Sequence, residues 1–387
     1  MLKIETIDSN NRSDVIRFYK IPFSIYAGCK QWVPPLWADL SMQLNRKKHP
    51  FYEHSDADFF IAVKDGKDVG RIAALENKPY NKYHGRKLAT FFLFETVDDS
   101  EVADALFGKV FQWARQRGLD SVMGPKGFGP LDGYGMLVDG FEHRQTMMMS
   151  SYNHAYYPRA MDRLGFQKEV DFISCSIPRV GLALPERFHR LSDRIQKRGT
   201  FSVHNFSSNQ AMMTWMPRFI DTYNKAFTKN WEYYPLSQRE AKFVADNIFQ
   251  LISHDLIKII THKEAVVGFV LAFPDISAAL QRTRGYIPPF AFLDAIPSPK
   301  AILDILLEVN RTDWIALNGA GILPEFKGLG GNVLLYTEME KTLNSRRQQF
   351  KWGELCQVAE TAVEMRSDLV NIGGKPYKNH RVYVRTL

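Results

Sequence analysis

Three cysteines are all that the 387-residue chain carries, and Cys29, Cys175 and Cys356 lie far apart with no CxxC spacing. That excludes a disulfide framework or a zinc ribbon and fits a reducing compartment. No apolar run approaches the roughly 18 residues of a membrane span, and charges stand in the first residues where a signal peptide needs an apolar core. A cytoplasmic protein is therefore expected. No HExxH or HxxxH pairing places two histidines on one helical face, so no metal is expected. A GxSxG elbow and a Cys–His arrangement are missing, which removes the common nucleophilic hydrolases. With no RNP-like aromatic motif, helix-turn-helix or Cys/His finger, nucleic acid is not an expected partner. What is present is ordinary for a globular protein: 45% hydrophobic and 24% charged residues. Fifty basic residues against 42 acidic ones leave +8, an excess that permits anionic partners without choosing among them.

The length favours two or three domains, and a weak internal repeat argues for two. Residues 59–75 read as strand, a turn at Asp65-Gly66-Lys67, and a return strand; residues 257–273 repeat that plan. Gly70 and Gly268 mark the same place in each, 198 positions apart. Arg159–Lys168 predicts a short helix stopped by Gly165 and then a strand, and Asp368–Lys375 does the same around Gly373. The joint is expected between Pro178 and Pro185, giving domains 1–180 and 181–387, with a basic helix running through Arg198 to a stop at Gly199. Pro274–Pro299 predicts a long irregular, proline-rich insertion of the functional kind.

The most informative stretch is Trp314–Ser345. An apolar strand, Trp314–Leu323, leads into Pro324-Glu-Phe-Lys-Gly-Leu-Gly-Gly-Asn332 and then a helix-period segment from Val333. Backbone N–H groups of such a loop converge on an anion, the helix N-terminus adds about half a positive charge, and Lys327 adds a full one. Read from the residues alone, the loop is either an anion cradle or a βα turn that needs glycine simply to turn. It is neither a Walker A nor a GxGxxG motif.

This loop resembles the pyrophosphate-binding loop of the GNAT acyltransferases, with Lys327, Gly330 and Asn332 at the three signature positions. Lys351–Val358 resembles the next strand of that family, Thr361–Ile372 the helix after it, and the residues from Gly373 its closing strands. The chain departs from the pattern at Asn332, where a small residue is usual, and at Leu369, where a thiolate-protonating tyrosine often stands. Leu88–Glu95 resembles the equivalent strand of a first, degenerate copy, followed by acidic Asp98, Asp99 and Glu101 instead of glycines. Trp32–Leu36, His49–Tyr52, Val69–Ala74, Tyr152–Pro158 and Tyr223–Glu232 extend the likeness to tandem-GNAT bacterial proteins and, more distantly, to bacterial ceramide synthases.

The resemblance implies an α/β fold of two tandem GNAT-like domains, each a mixed, mostly antiparallel twisted sheet flanked by helices. It implies acyl transfer to an amine from acetyl-CoA or a longer acyl-CoA, with an acyl carrier protein as the alternative donor. The second copy would bind the donor through Ile322, Leu323, Lys327, Gly328, Leu329, Gly330, Gly331 and Asn332, and strand amides at Ile322 and Leu323 would stabilise the oxyanion. Glu354 is the first candidate for the base and Glu360 the second, each with an alternative structural reading as a paired or capping carboxylate. Asn224 would be a catalytic amide beside an acceptor pocket lined by Tyr223, Trp231 and Tyr234. Phe290, within the apolar stretch Tyr286–Leu293, would cover an acyl tail or touch a membrane. A long acyl group and an amino-lipid acceptor are the favoured version. The rivals are a small-molecule N-acetyltransferase, a non-catalytic binding protein, and an aminoacyl-tRNA-dependent transferase.

Overall fold

Continuous apolar runs, not alternating ones, mark the early strands, and the reason is that their sheet is covered on both faces. The strands are β1 (Leu2–Thr6), β2 (Asp56–Lys64), β3 (Lys67–Glu76), β4 (Leu88–Thr96), β5 (Ser121–Gly124) and β6 (Met136–Asp139). Along β2, Phe60 and Ala62 join the core under helix Ser100–Gln116, while Phe59, Ile61 and Val63 join the one under helix Arg12–Ile25. Neighbouring strands β1 to β4 are antiparallel, and β4–β5 is parallel.

The second unit is built alike from β8 (Ser202–His204), β9 (Ile257–His262), β10 (Ala265–Pro274), β11 (Trp314–Ile322) and β12 (Trp352–Ala359), which in chain order follow β7 (Gln167–Pro178) and precede the final β13 (Lys375–Thr386). Strands β8 to β11 are antiparallel and β11–β12 is parallel. Helix Gly331–Ser345 packs on one face with Ile195 of helix Glu186–Arg198. Helix Met216–Ala226 covers the other, with Phe219 against Phe269 at 4.7 Å between ring centres. The repeated hairpin is observed in both copies. Its turn residues all take positive φ, at Asp65 and Gly66 (52° and 76°) and at Lys263 and Glu264 (46° and 68°). The expected helix stop is present as well, Gly199 being left-handed after Arg198.

These observations come from a computed structural model that describes residues 1–129, 132–146, 150–178, 183–228, 230–231, 233–251, 253–285, 299–346 and 350–387. The chain divides into two units: Met1–Ile173 with Ile276–Glu308 and Lys378–Leu387, and Ser174–Asp275 with Val309–Tyr377. This interleaving differs from contiguous spans 1–180 and 181–387. The last strand is one cause: β13 continues past Tyr377 to pair with β5, Tyr383 opposite Gly124. Residues from Ile276 are held in the first unit by Tyr19, whose hydroxyl donates to the Arg284 carbonyl at 2.9 Å, and by Gln281, whose amide donates to the Trp32 carbonyl at 2.8 Å. The insertion is also less irregular than its prolines predict, since Ser277–Thr283 is helical. Phe290 and the stretch 286–298 lie outside the described residues.

Candidate active site

Two parallel strands that begin together and then separate leave a gap with exposed backbone edges. β11 and β12 do this. Their pairing runs from Trp314 opposite Trp352 to Leu317 opposite Leu355, yet β11 continues to Ile322 and β12 to Ala359. Just past the last rung β11 carries an extra residue: Val270 and Ala272 of β10 face Ala320 and Leu317. Gly319 lies in this bulge with φ +108°, which bends β11 away from its parallel neighbour. Gln357, at φ 41°, kinks β12 in the same region.

The strand amides divide by side. Leu323 N–H donates to the Val267 carbonyl at 2.9 Å, so it is committed to β10 and cannot serve an oxyanion. This corrects the expected pair of donors. Because successive residues of an antiparallel strand point their N–H groups to opposite edges, Ile322 presents its own toward the side that β12 vacates.

Beyond β11 the chain makes a short turn, Pro324–Phe326, and enters helix Gly331–Ser345 through Gly330 in the left-handed region, with no side-chain cap. Among the described residues, hydrogen bonds take up the N–H groups of Phe326, Lys327, Val333 and Leu334 but none of the five amides from Gly328 to Asn332. The glycines serve different ends. A Cβ on Gly330 would lie 2.3 Å from Ile195 Cδ1, and one on Gly331 2.6 Å from Ile260 Cδ1, so both permit close packing of the helix. Gly328 has φ +77° and nothing within 4 Å of its missing Cβ, so it is the position that leaves open space over the amides. The loop thus packs against the helix neighbours through two glycines and leaves its amide donors unspent on the other side.

Helix Val363–Asn371, which follows β12, reaches across to this loop. Lys327 Nζ lies 2.8 Å from Glu364 Oε2, both side chains well exposed at 44% and 80%. One turn on, Asp368 accepts from Asn332 Nδ2 at 3.0 Å and from the Tyr336 hydroxyl at 3.1 Å. Burial and the adjacent carboxylate push the Tyr336 hydroxyl far above its ordinary range. Asn332, the unusual signature residue, is therefore tied to the following helix. Leu369 is buried and offers no proton. Sequence reasoning missed Glu364, Asp368 and Tyr336, although the i, i+4 spacing of the two carboxylates on an expected helix was a usable signal.

Glu354 is fully buried on β12, opposite Ala316, one rung before the strands part. Ala316 in turn faces Phe273 of β10, so these three side chains share the face covered by helix Met216–Ala226. Tyr223 is on that helix, stacked at 6.2 Å on Phe269 and 4.8 Å from Phe227, and it lines a small apolar cavity with Phe219, Ile220, Leu236, Ala241 and Val244. Asn224 follows it on the same helix, half-buried. Tyr234 is fixed elsewhere: its hydroxyl donates to Glu240, which closes a reciprocal cap with Ser237 (2.8 and 3.2 Å) at the start of helix Gln238–Leu251. Trp231 lies in the connection between those helices, half-buried, and Leu329 of the loop is exposed. Glu360 sits in the turn just after β12. The predicted donor residues converge on the loop and parted strand. Glu354 and Tyr223 share a sheet face, and Tyr234 belongs to a helix cap.

No protein-family model matches the chain. Over 378 residues it is 26% identical to protein YghO of Escherichia coli, covering 97% of this chain and 94% of that protein. It is 25% identical to the bacterial ceramide synthase of Caulobacter vibrioides over 396 residues, 99% of this chain and 98% of that one. Among solved structures, a tandem GNAT protein from the clavulanic acid biosynthesis pathway superposes with a TM-score of 0.59 at 10% identity, covering 100% of this chain and 98% of that one. A GCN5-related N-acetyltransferase from Sphaerobacter thermophilus gives 0.52 at 10% identity, with 100% and 95% covered. The chain therefore has the tandem GNAT fold.

Proposed function

We propose that the protein is an N-acyltransferase whose second unit takes an acyl group from a CoA-type thioester and passes it to an amine. The observation that carries this reading is the pairing of five uncommitted loop amides, from Gly328 to Asn332, with a strand edge opened by the β11 bulge. Loop amides, the helix N-terminus and Lys327 would hold a diphosphate, since all three favour negative charge. Gly328 leaves room for it. The pantetheine arm would then follow the edge of β11, where the Ile322 N–H is aimed at a developing oxyanion.

In the reaction the amine nitrogen bonds to the thioester carbonyl carbon, the C–S bond breaks, and the thiolate leaves with the electron pair. The amine's proton must go to a base, for which Glu354 on β12 is the candidate, with Glu360 second. A thiol of pKa near 8.5 leaves readily, so a buried leucine at position 369 is tolerable. Most of the acceleration would come from holding both reactants in line. The specific version is a long acyl chain passed to an amino lipid, supported by the full-length likeness to a protein named a ceramide synthase. An acetyl donor with a small amine is the second reading, supported by the acetyltransferase fold.

Calorimetric titration with CoA, acetyl-CoA and palmitoyl-CoA tests this. The protein is expected to bind palmitoyl-CoA more tightly than acetyl-CoA. The double variant Lys327→Glu/Gly328→Asp should weaken all three by about tenfold or more, as charge reversal at a phosphate site does, while losing no more than about 1 kcal/mol of stability, because aspartate is among the residues that accept positive φ and the space is open. Glu364→Gln should strengthen binding about two- to fivefold by freeing Lys327. Preference for acetyl-CoA would move the assignment to the second reading. No binding of any CoA species would sink the donor site and leave a binding protein.

A further inference from the structure

Helix Glu186–Arg198 gives the second unit a charged surface that acyl transfer does not use. Ser192 and Ile195 are its buried side chains, and the Ser192 hydroxyl meets that of Thr337 at 3.0 Å. At about 100° per residue, Arg190, Arg194, Lys197 and Arg198 then fall within an arc of about 100° on the solvent side. None of these four cations makes an ion pair or hydrogen bond with the described residues. Leu191, at the edge of the arc, is 40% exposed.

A second helix adds apolar surface. Arg187 donates to the side-chain oxygen of Asn371 at 3.1 Å, and Ile195 rests on Gly330 of the loop whose Lys327 holds Glu364. Helix Glu186–Arg198 is thereby joined near its first turn to the last residue of helix Val363–Asn371. The outer side of the latter carries Val363 and Val370, 73% and 70% exposed.

We infer that the solvent-facing stripe of helix Glu186–Arg198, with the valines of its neighbour, docks on an anionic lipid bilayer. Unpaired cations in a line about 12 Å long match the charge of an acidic leaflet, and exposed aliphatic side chains near them suit the boundary between headgroups and acyl chains. Nucleic acid fits less well, because the stripe offers leucine and valine where base stacking needs aromatic rings. No helix among the described residues is long and apolar enough to cross a membrane, so this contact would be peripheral.

The test is co-sedimentation of the full chain with phosphatidylcholine vesicles, with and without phosphatidylglycerol. Binding is expected only with the anionic lipid and should fall steeply with salt. Arg190→Glu/Arg194→Glu/Lys197→Glu should lower the partition constant about tenfold or more with unchanged melting and CoA affinity. Val363→Ser/Val370→Ser should lower it less. Equal pelleting of the triple variant, equal binding to neutral vesicles, or no binding of the native chain would overturn the inference. So would a triple variant that loses CoA affinity, which would assign the cations to the donor, or a native chain that prefers an RNA oligonucleotide to the vesicles.

Discussion

The two copies keep one frame and end it differently. Val97 N–H donates to the Val69 carbonyl as Leu323 N–H does to Val267, and a Cβ on Gly70 or Gly268 would press on the equivalent carbonyl, of Glu95 (2.9 Å) or Gly321 (3.1 Å). Both β4 and β11 carry a one-residue bulge at a positive-φ position, Leu93 or Gly319. Both leave their parallel neighbour after three or four rungs. Past that point the first copy closes its site. Its helix starts at Ser100, capped by Asp99, whose carboxylate accepts from Glu101 N–H at 3.0 Å and pairs with Lys64 at 2.7 Å. Thr96, the counterpart of Ile322, donates its N–H to the Tyr157 hydroxyl, and its carbonyl accepts from Tyr156. The second copy inserts a longer loop and a glycine cap. A bulged, parted strand is therefore common to both, and what distinguishes a candidate ligand site is the length of the following loop and whether the helix brings its own anion.

The largest break in this comparison should come from Gly330→Ala. Its Cβ meets Ile195 and its φ is +86°, so denaturant unfolding should show a loss of about 2–4 kcal/mol. Gly328→Ala, strained but unobstructed, should cost about 1 kcal/mol. Equal losses would show that packing does not separate the two glycines. Asp99→Ala should cost about 1 kcal/mol by removing a cap while leaving CoA titrations unchanged. Altered CoA binding there would put a donor site in the first copy as well.

The subtlest effect concerns Glu95, whose carboxylate accepts from Tyr26 at 2.6 Å and Tyr157 at 2.9 Å and lies 3.9 Å from Arg71. Burial raises its pKa, against the opposing pull of Arg71 and the two tyrosines. A carboxyl raised on folding holds its proton where the unfolded chain has lost it. The native state therefore loses stability as pH climbs from the unfolded value near 4.5 toward the folded one. Glu95→Gln removes that slope, so its stability relative to the native chain should improve between pH 4 and pH 7. A difference independent of pH would show that folding leaves the Glu95 pKa unchanged.

The fold was largely legible. Gly70 with Gly268, the two hairpins, and the helix–glycine endings around Gly165 and Gly373 carried the repeat, because turn and cap chemistry is local. The strand, the glycine turn and the helix entered at Gly331 were legible for the same reason. Glu364 and Asp368 were not, since their partners lie across a strand and a turn, and neither was the commitment of Leu323, which depends on ladder phase. Tyr234 looked like a pocket residue because an aromatic beside Trp231 reads the same whether it lines a cavity or closes a cap.

By itself the sequence determined which segments become strands and helices, where they turn, and that one plan is used twice, since these follow from short-range sterics and hydrophobic period. Only the tertiary structure decided which amides are spent, which glycines are packed against and which carboxylates face the loop. Those are set by residues far apart in the chain meeting at distances of a few ångströms.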